Sequence, residues 1–365
     1  MQTSASPPTE DGKTKGEEHN IMRRRSLLLG TAAASFTASL PGAARAGNDA
    51  VIGLSNGYFG TEWRNQMVAA AQEQFEGYKA HGMAGSLVVQ QAGANVNQQI
   101  QDIRNMIRQG VAAITVNANS ATALNGVINE AKRANIPVVS FDQAVTNPYA
   151  INVTVDHGVW GGRYAKWIAE TLGGKGKVVV LDGIPGHPAA EARRKAAMDV
   201  FKAHPGIEVV WSGYGEWDHA KAQAVMATVI ASYPQIDGAF VEDSMGLGVL
   251  RAFQNAGRPI PVMTGEAQKA FLLAWKAELQ KGTGMRAFAQ PNPPDISRNA
   301  IGIAVRLANG RTLKPQPENT IFYPVSGEVT RDNIDQVLAQ MQDKPDSYFL
   351  AEWFSEAQLD SLFAG

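Results

Sequence analysis

Carboxylates, amides and aromatic residues follow the short apolar runs of this chain, and these side chains could do chemistry. Asp142 and Gln143 follow one such run, Glu242 and Glu266 follow two others, and Trp217 comes shortly after a fourth. Planar carboxylates and amides exchange hydrogen bonds with vicinal hydroxyls. Aromatic faces cover the C–H faces of sugars and polyols. The set therefore favours a site for a polyhydroxylated ligand.

Arg193, near the start of a predicted helix, adds a cation to these residues. Its planar guanidinium presents a rigid fork of donors to hydroxyl or ring oxygens. Several carboxylates close together would also raise one pKa or attract a cation. For Asp182 and Asp243 an equally valid interpretation is that they cap the helices that follow them.

The sequence carries no motif of a catalytic or cofactor site. It lacks Gly-x-Gly-x-x-Gly after the first predicted strand, a Walker-type loop and His-Glu-x-x-His. It has no cysteine, which excludes disulfides, cysteine-bound zinc and thiol nucleophiles. His187 is a conceivable base, although His187-Pro188 is more typical of a helix start. We expect no cofactor, no metal and no enzymatic activity; an exported, oxidoreductase-like enzyme is the alternative.

Elements that position these residues follow from the alternation of β-branched and amphipathic segments after Ala50. The predicted strands are residues 51–54, 87–91, 113–117, 138–142, 178–182, 208–211, 239–243, 262–264 and 285–290. Between them, apolar residues recur at helical spacing. Strands alternating with helices predict parallel sheets, and their number favours two doubly wound sheets over one. Ligands of such sheets bind beyond the carboxyl ends of the strands, where the polar residues lie.

The overall composition limits the classes of partner that this protein could bind. The formal net charge is −1 and no basic run occurs after the N-terminal segment, which argues against nucleic acid. No later apolar stretch approaches the ~20 residues that span a bilayer. The length is sufficient for two domains.

The N-terminal segment predicts export. Arg23, Arg24 and Arg25 precede a mild apolar run, and Ala44-Arg45-Ala46 follows it. This order is typical of a cleavable signal peptide over residues 1–46, and the paired arginines resemble a twin-arginine signal. A basic amphipathic helix or a retained anchor is the alternative. We therefore expect a periplasmic protein.

Three segments resemble the ribose-binding branch of the type I periplasmic binding proteins: residues 98–114, 136–142 and 156–162. The resemblance extends from Ala50 to about Thr330. It implies an α/β fold of two Rossmann-like lobes joined by a three-stranded hinge, closing over one sugar for an ABC permease. It places residues 47–153 and 291–323 in the N-terminal lobe, and residues 154–290 and 324–365 in the C-terminal lobe and tail.

The resemblance also implies a set of ligand contacts. Asp142 and Arg193 match the family's sugar-binding Asp and Arg, and Trp217 matches an aromatic that covers the sugar. In this family, aromatic residues of the first lobe stack on the sugar. They match Trp63, or Tyr58 and Phe59, in this sequence. The implied ligand-binding residues are Tyr58, Trp63, Asp142, Arg193, Trp217, Glu242, Glu266 and Gln290.

Three positions depart from the family pattern. Gln143 stands where an Arg is common, Glu242 where an Asn is usual, and Glu266 where an Asp is usual. These changes predict an acidic cleft and a ligand other than ribose: another pentose or hexose, a polyol or an amino sugar. We expect a monomer that serves a permease; a sensor that feeds a chemoreceptor or kinase is the alternative. A transcription factor of this fold would need a DNA-binding headpiece where the export pattern lies.

Overall fold

The structure is a computed structural model that describes residues 47–324 and 327–364, and the predicted signal peptide lies outside these residues. The strands before residue 155 are β1 (Val51–Asn56), β2 (Ser86–Gln91), β3 (Ala113–Asn117), β4 (Val138–Phe141) and β5 (Ile151–Thr154). The helices among them are α1 (Glu62–Ala80), α2 (Val96–Gln109) and α3 (Asn125–Arg133).

The next part of the chain repeats this alternation. Its strands are β6 (Lys175–Asp182), β7 (Gly206–Tyr214), β8 (Gly238–Val241), β9 (Val262–Glu266) and β10 (Ala287–Gln290). Its helices are α4 (His157–Thr171), α5 (Pro188–Lys202), α6 (His219–Ser232), α7 (Gly246–Asn255) and α8 (Lys269–Gln280). The chain continues through α9 (Ile296–Ala308), β11 (Thr320–Phe322), α10 (Ile334–Gln340) and α11 (Glu356–Ser361).

Two parallel sheets result, and each forms the centre of a lobe. The strand order is β11-β5-β4-β3-β1-β2 in the first lobe and β10-β9-β8-β6-β7 in the second. Helices cover both faces of each sheet, so the central strands are buried and read as continuous apolar runs. The predicted α/β architecture of two doubly wound lobes is confirmed.

Local signals set the helix ends. The side chain of Asn95 accepts a hydrogen bond from the backbone N–H of Gln98 at 3.0 Å and so begins α2. The helix ends at Gly110, which adopts a left-handed φ of 69° that glycine tolerates best. Asp156 caps α4 in the same way as Asn95, through the N–H of Val159. These caps fix where α2 and α4 begin, shortly after the carboxyl ends of β2 and β5.

Two features of the chain path go beyond the sequence expectations. Strand β5 was not predicted, because only two residues of its Ile-Asn-Val-Thr run are apolar. The tail from residue 324 packs on both lobes. Val337 of α10 lies in the core of the second lobe, but Leu359 and Phe363 lie in the core of the first lobe. These apolar side chains find their partners on α9, which the chain reaches by crossing back.

Among the described residues, no helix is both long and apolar enough to span a membrane.

Candidate ligand-binding site

A narrow cavity lies between the carboxyl ends of the two sheets. Its lining residues are Thr61, Trp63, Arg64, Asp142, Gln143, Trp217, Asp243, Ser244 and Asn292. The empty space between their atoms sums to about 270 Å³, but the centre of a water molecule has only about 10 Å³ in which to move. The lobes are therefore closed tightly on each other, and each contributes one tryptophan to the wall.

Asp142 sits in a strained turn directly after β4. Its φ is +58°, and the N–H of Gln143 donates to the carbonyl of Phe141 at 2.6 Å, which closes a three-residue γ-turn. The Ser140 hydroxyl braces this turn by donating to the carbonyl of Gln143 at 2.8 Å. A left-handed non-glycine residue costs about 1–3 kcal/mol, and such strain clusters at functional sites. Here it turns the side chains of Asp142 and Gln143 into the cleft.

The two carboxylate oxygens of Asp142 have different surroundings. Oδ2 accepts hydrogen bonds from Gln143 Nε2 at 2.7 Å and from Asn117 Nδ2 at 3.4 Å. Oδ1 has no hydrogen-bond partner among the described residues. Burial works to raise the pKa of Asp142, but His157, the guanidinium groups of Arg64 and Arg193 and the hydrogen bond from Gln143 together hold that pKa below its usual range. Asp142 is thus a charged acceptor with one oxygen to offer a ligand.

Arg64 brings a buried cation to the first-lobe wall. It lies in the first turn of α1, where Thr61 caps the helix by accepting from the N–H of Arg64. Its Nη1 donates to Asn117 Oδ1, and its guanidinium carbon lies 4.9 Å from the centre of the Trp63 ring. Burial lowers the pKa of Arg64, while Asp142 and Asp243 act in the opposite direction.

Arg193 is the fully buried cation of the second lobe. Its guanidinium carbon lies 4.0 Å from the centre of the Trp160 ring, and its Nη1 donates to Asp243 Oδ2 at 2.6 Å. A Cβ on Gly161 would come within 2.5 Å of the Arg193 carbonyl oxygen, so this glycine allows α4 to approach α5 closely. The Nη2 of Arg193 has no partner among the described residues.

His157 connects the two charged groups at the crossover from β5 to α4. Its Nε2 lies 2.9 Å from the carbonyl oxygen of Asp142, and its Nδ1 accepts a hydrogen bond from Arg193 Nε at 3.2 Å. An Nδ1 that accepts implies a neutral imidazole with its proton on Nε2. Burial, followed by the charge of Arg193, lowers the pKa of His157 to about 4.

Two of the carboxyl groups that the sequence analysis expected to make the cleft acidic do not lie in its wall. Glu242 and Glu266 are fully buried behind the cavity wall and do not line it. Burial raises the pKa of both well above the usual range. Burial also raises the pKa of Asp243, while the charge of Arg193 and its 2.6 Å hydrogen bond act in the opposite direction. The carboxyl groups at the cavity wall are thus Asp142 and Asp243, which lie near Arg64 and Arg193.

Trp217 covers the second-lobe side of the cavity. It adopts a left-handed φ of 54°, and its Nε1 donates to Glu242 Oε2 at 2.9 Å. The ring lies against the backbone of Gly183, where a Cβ would come within 2.1 Å of the indole. The ring of His187 meets it edge-on at a centroid distance of 5.6 Å. Trp63 is held on the other wall by a 2.7 Å hydrogen bond to the carbonyl of Asn292.

The predicted site residues fall into three groups. Trp63, Asp142 and Trp217 line the cavity, and Arg193, Glu242 and Glu266 form a buried layer behind it. Tyr58 is only half-buried and does not reach the cavity wall. Gln290 does not reach it either, since its Nε2 donates to the carbonyl of Trp160 at 3.1 Å in a separate hollow.

The sequence analysis missed three residues of the wall: Thr61, Ser244 and Asn292. Asn292 follows β10 by two positions, so the rule that sites lie beyond strand ends could have found it. Thr61 and Ser244 carried no signal, because a hydroxyl near a helix start is ordinarily a cap. Within the described ranges, no three His, Asp or Glu side chains converge closely enough to hold a metal ion.

Comparison with known proteins places this geometry in a family. Residues 52–312 match the periplasmic binding protein domain, which is well over half of the chain. The chain belongs to the periplasmic binding protein family. The resemblance to type I periplasmic sugar-binding proteins, and the fold that it implied, are confirmed.

Individual relatives of this periplasmic binding protein are moderately similar. The xylitol-binding protein of Mycolicibacterium smegmatis is 31% identical over 266 residues, covering 71% of this chain and 73% of that protein. The ribose import binding protein of Bacillus subtilis is 28% identical over 255 residues, covering 69% and 79% respectively. The structure of an ABC transporter solute binding protein from Thermobispora bispora superposes with a TM-score of 0.77 at 28% identity, covering 86% and 94% of the two chains.

Proposed function

We propose that this periplasmic binding protein captures an uncharged sugar or polyol between its lobes and delivers it to the permease of an ABC importer. The observation that carries the proposal is the composition of the cavity wall. It has an indole on each side, from Trp63 and Trp217, and unpartnered acceptor oxygens on Asp142 and Asp243. Indole faces fit C–H surfaces, and free carboxylate oxygens accept from hydroxyl groups.

The charge balance of the buried groups supports an uncharged ligand. The guanidinium groups of Arg64 and Arg193 are matched in number by the carboxyl groups of Asp142 and Asp243, while Glu242 and Glu266 lie behind the wall, where burial raises the pKa of both and so disfavours their charged forms. An ammonium or phosphate group would enter as an uncompensated charge in a site closed off from water, which is strongly unfavourable. We therefore favour a neutral polyol or sugar over an amino sugar.

Closure of the lobes supplies the mechanism. The cavity wall takes residues from both lobes, so a ligand contacts both only when they are closed. Such a ligand shifts the equilibrium toward the closed state by its differential affinity for that state. The present cavity is too narrow for a sugar, so binding also requires an opening step.

The relatives support this class of ligand and this partner. One is a xylitol-binding protein and another a ribose import binding protein, so both acyclic and cyclic polyhydroxylated ligands occur among them. The superposed structure is that of an ABC transporter solute binding protein. By analogy we place the protein in the periplasm as a monomer, exported through the twin-arginine signal that residues 1–46 resemble.

A ligand screen tests the proposal. The protein beginning at Gly47 would be titrated calorimetrically and by thermal shift with xylitol, arabitol, ribose, myo-inositol, glucosamine and ribose 5-phosphate. We expect neutral compounds to raise the melting temperature, because a ligand that binds only the folded state stabilises it. A response confined to glucosamine or ribose 5-phosphate would contradict an uncharged ligand.

A further inference from the structure

We propose that Gln143 is a positioning residue that couples the ligand-binding carboxylate of one lobe to the first turn of a helix in the other. Its amide makes two hydrogen bonds in opposite directions. Nε2 donates to Asp142 Oδ2 at 2.7 Å within the first lobe, and Oε1 accepts from the backbone N–H of Ala189 at 3.0 Å in the second lobe. Both contacts are buried.

Helix α5 lacks a cap from its own lobe at this point. Its N-cap residue is His187, whose side chain makes no capping hydrogen bond in the described structure, and its first residue is Pro188, which has no N–H. Ala189 therefore carries the first free backbone donor of the helix. Helix starts need an acceptor for such donors, and here the acceptor comes from across the cleft. Opening the lobes would break the cap.

The same amide limits what Asp142 can offer. Because Gln143 and Asn117 occupy Oδ2, only Oδ1 remains for a ligand, so Asp142 is a single-oxygen acceptor and not a two-oxygen clamp. The γ-turn at Asp142 sets this geometry, since it directs consecutive side chains to the same cleft. Closure of the lobes thus forms the hydrogen bond from Ala189 to Gln143. Gln143 in turn orients the carboxylate of Asp142, which contacts the ligand.

Gln143 also removes a charge that an arginine would bring to this position. A neutral amide can approach the positive end of α5 without repulsion, whereas a guanidinium there would face both that helix dipole and Arg64. A glutamine at position 143 is therefore consistent with a latch between the lobes, meaning the hydrogen bond between Gln143 and Ala189.

Three variants of Gln143 separate the two bonds. Gln143→Met has a similar volume and makes neither bond. Gln143→Glu keeps an acceptor for Ala189, strengthened by the helix dipole, but loses the donor to Asp142. Gln98→Met is the matched control, because the Gln98 amide donates to Asp102 at 2.8 Å within one helix and touches nothing across the cleft.

The interlobe distance is the decisive measurement, and it needs no ligand. Because the chain has no cysteine, exposed Gln101 and Lys195 can be changed to cysteine and labelled as a pair, one on each lobe. We expect Gln143→Met to shift the ligand-free distance distribution toward longer distances and Gln98→Met to leave it unchanged. We expect Gln143→Glu to stay near the wild-type distribution.

With a neutral polyol that binds the wild type, we expect Gln143→Met to bind about three- to tenfold more weakly, mainly through faster dissociation, as the loss of one cap implies. Circular dichroism and the melting temperature would establish that each variant is folded. A ligand-free distance distribution in Gln143→Met identical to the wild type would overturn the proposal, even if affinity fell. That outcome would leave the proposed function intact, because the function does not depend on this latch.

Discussion

The guanidinium of Arg193 lies over the indole of Trp160, with its central carbon 4.0 Å from the ring centroid, while its Nη1 donates to Asp243 at 2.6 Å. Trp160 belongs to α4 and Arg193 to α5, so the stack joins the two helices that meet behind the cavity. Stacking fixes the plane of the guanidinium, and the plane sets where its free Nη2 points. One buried contact therefore orients a ligand-binding candidate and holds two helices together.

Arg193→Met should lower the free energy of unfolding by about 3–5 kcal/mol, because it leaves the buried Asp243 without its cation. Arg193→Lys should recover part of that loss, since a lysine keeps the charge but not the planar fork or the stack. Urea unfolding of both variants measures the difference. Equal stability of Arg193→Met and wild type would show that the pair makes no net contribution.

Asp142→Asn should weaken binding of the best neutral ligand about 10- to 100-fold, because a hydrogen bond to a charged acceptor is worth about 1.5–3 kcal/mol. Asparagine tolerates the left-handed φ of +58° at this position, so the substitution should add no backbone strain. Isothermal titration calorimetry measures the affinity. Asp142→Ala also removes the carboxylate but adds backbone strain. If either variant kept full affinity, Asp142 would not be a ligand-binding residue.

Gly183→Ala should displace the Trp217 indole, since the new Cβ would lie 2.1 Å from that ring. Small-to-large changes in packed surroundings cost about 1–3 kcal/mol, and the displaced ring should weaken ligand binding about tenfold. Tryptophan fluorescence and calorimetry report the two effects.

Gly126→Ala is the control for this substitution. Its Cβ would meet nothing within 4 Å, and it lies inside helix α3. Alanine should stabilise that helix by about 0.5–1 kcal/mol without touching the ligand. A Gly183→Ala variant with wild-type fluorescence and affinity would mean that Trp217 does not cover the ligand.

His187→Asn should flatten the pH dependence of stability on the acidic side. Burial lowers the pKa of His187 from 6.5 to about 4. Between these values the unfolded chain binds the proton and the folded chain does not, so this histidine makes stability fall as the pH falls from about 6.5 toward 4. Asparagine does not titrate there, and it also caps α5 better than histidine.

The buried glutamates act with the opposite sign, so the variant must be compared with wild type at each pH. Glu242 and Glu266 have raised pKa values, and the folded chain therefore retains their protons at pH values where the unfolded chain loses them. Subtracting wild type from His187→Asn cancels this contribution. We expect the stability advantage of the variant to grow by about 2 kcal/mol between pH 7.5 and pH 4.5, from a shift of that size. A difference that is constant with pH would refute the buried, neutral state of His187.

Much of the fold was predictable because its signals are local. The strand runs and the helical spacing of apolar residues each act within a few residues, so they predicted nine of the strands and the two sheets. Strand β5 escaped because two of its four residues, Asn152 and Thr154, are polar and leave no apolar run. The lobe on which the tail ends was not predicted, because the sequence around Leu359 does not indicate which helix this side chain packs against.

The candidate site was predictable only in part. The rule that ligands lie beyond strand ends, together with the family resemblance, pointed to Asp142 and Trp217, and both line the cavity. The same reasoning gave Gln290 a ligand contact, whereas its amide is bonded to Trp160. The direction of a side chain depends on packing against residues far along the chain. Its position at the end of a strand does not determine that direction.

The sequence by itself determined the two parallel sheets, the freedom from disulfides and the ends of the strands at which polar residues collect, because these follow from periodicity and composition. Only the tertiary structure decided which of those residues are charged and what they contact. Arg193 and Asp243 are 50 positions apart, and Gln143 and Ala189 are 46 apart. The Arg193–Asp243 pair, and the burial that raises the pKa of Glu242 and Glu266, arise when the second lobe folds, whereas the contact between Gln143 and Ala189 forms only when the two lobes meet.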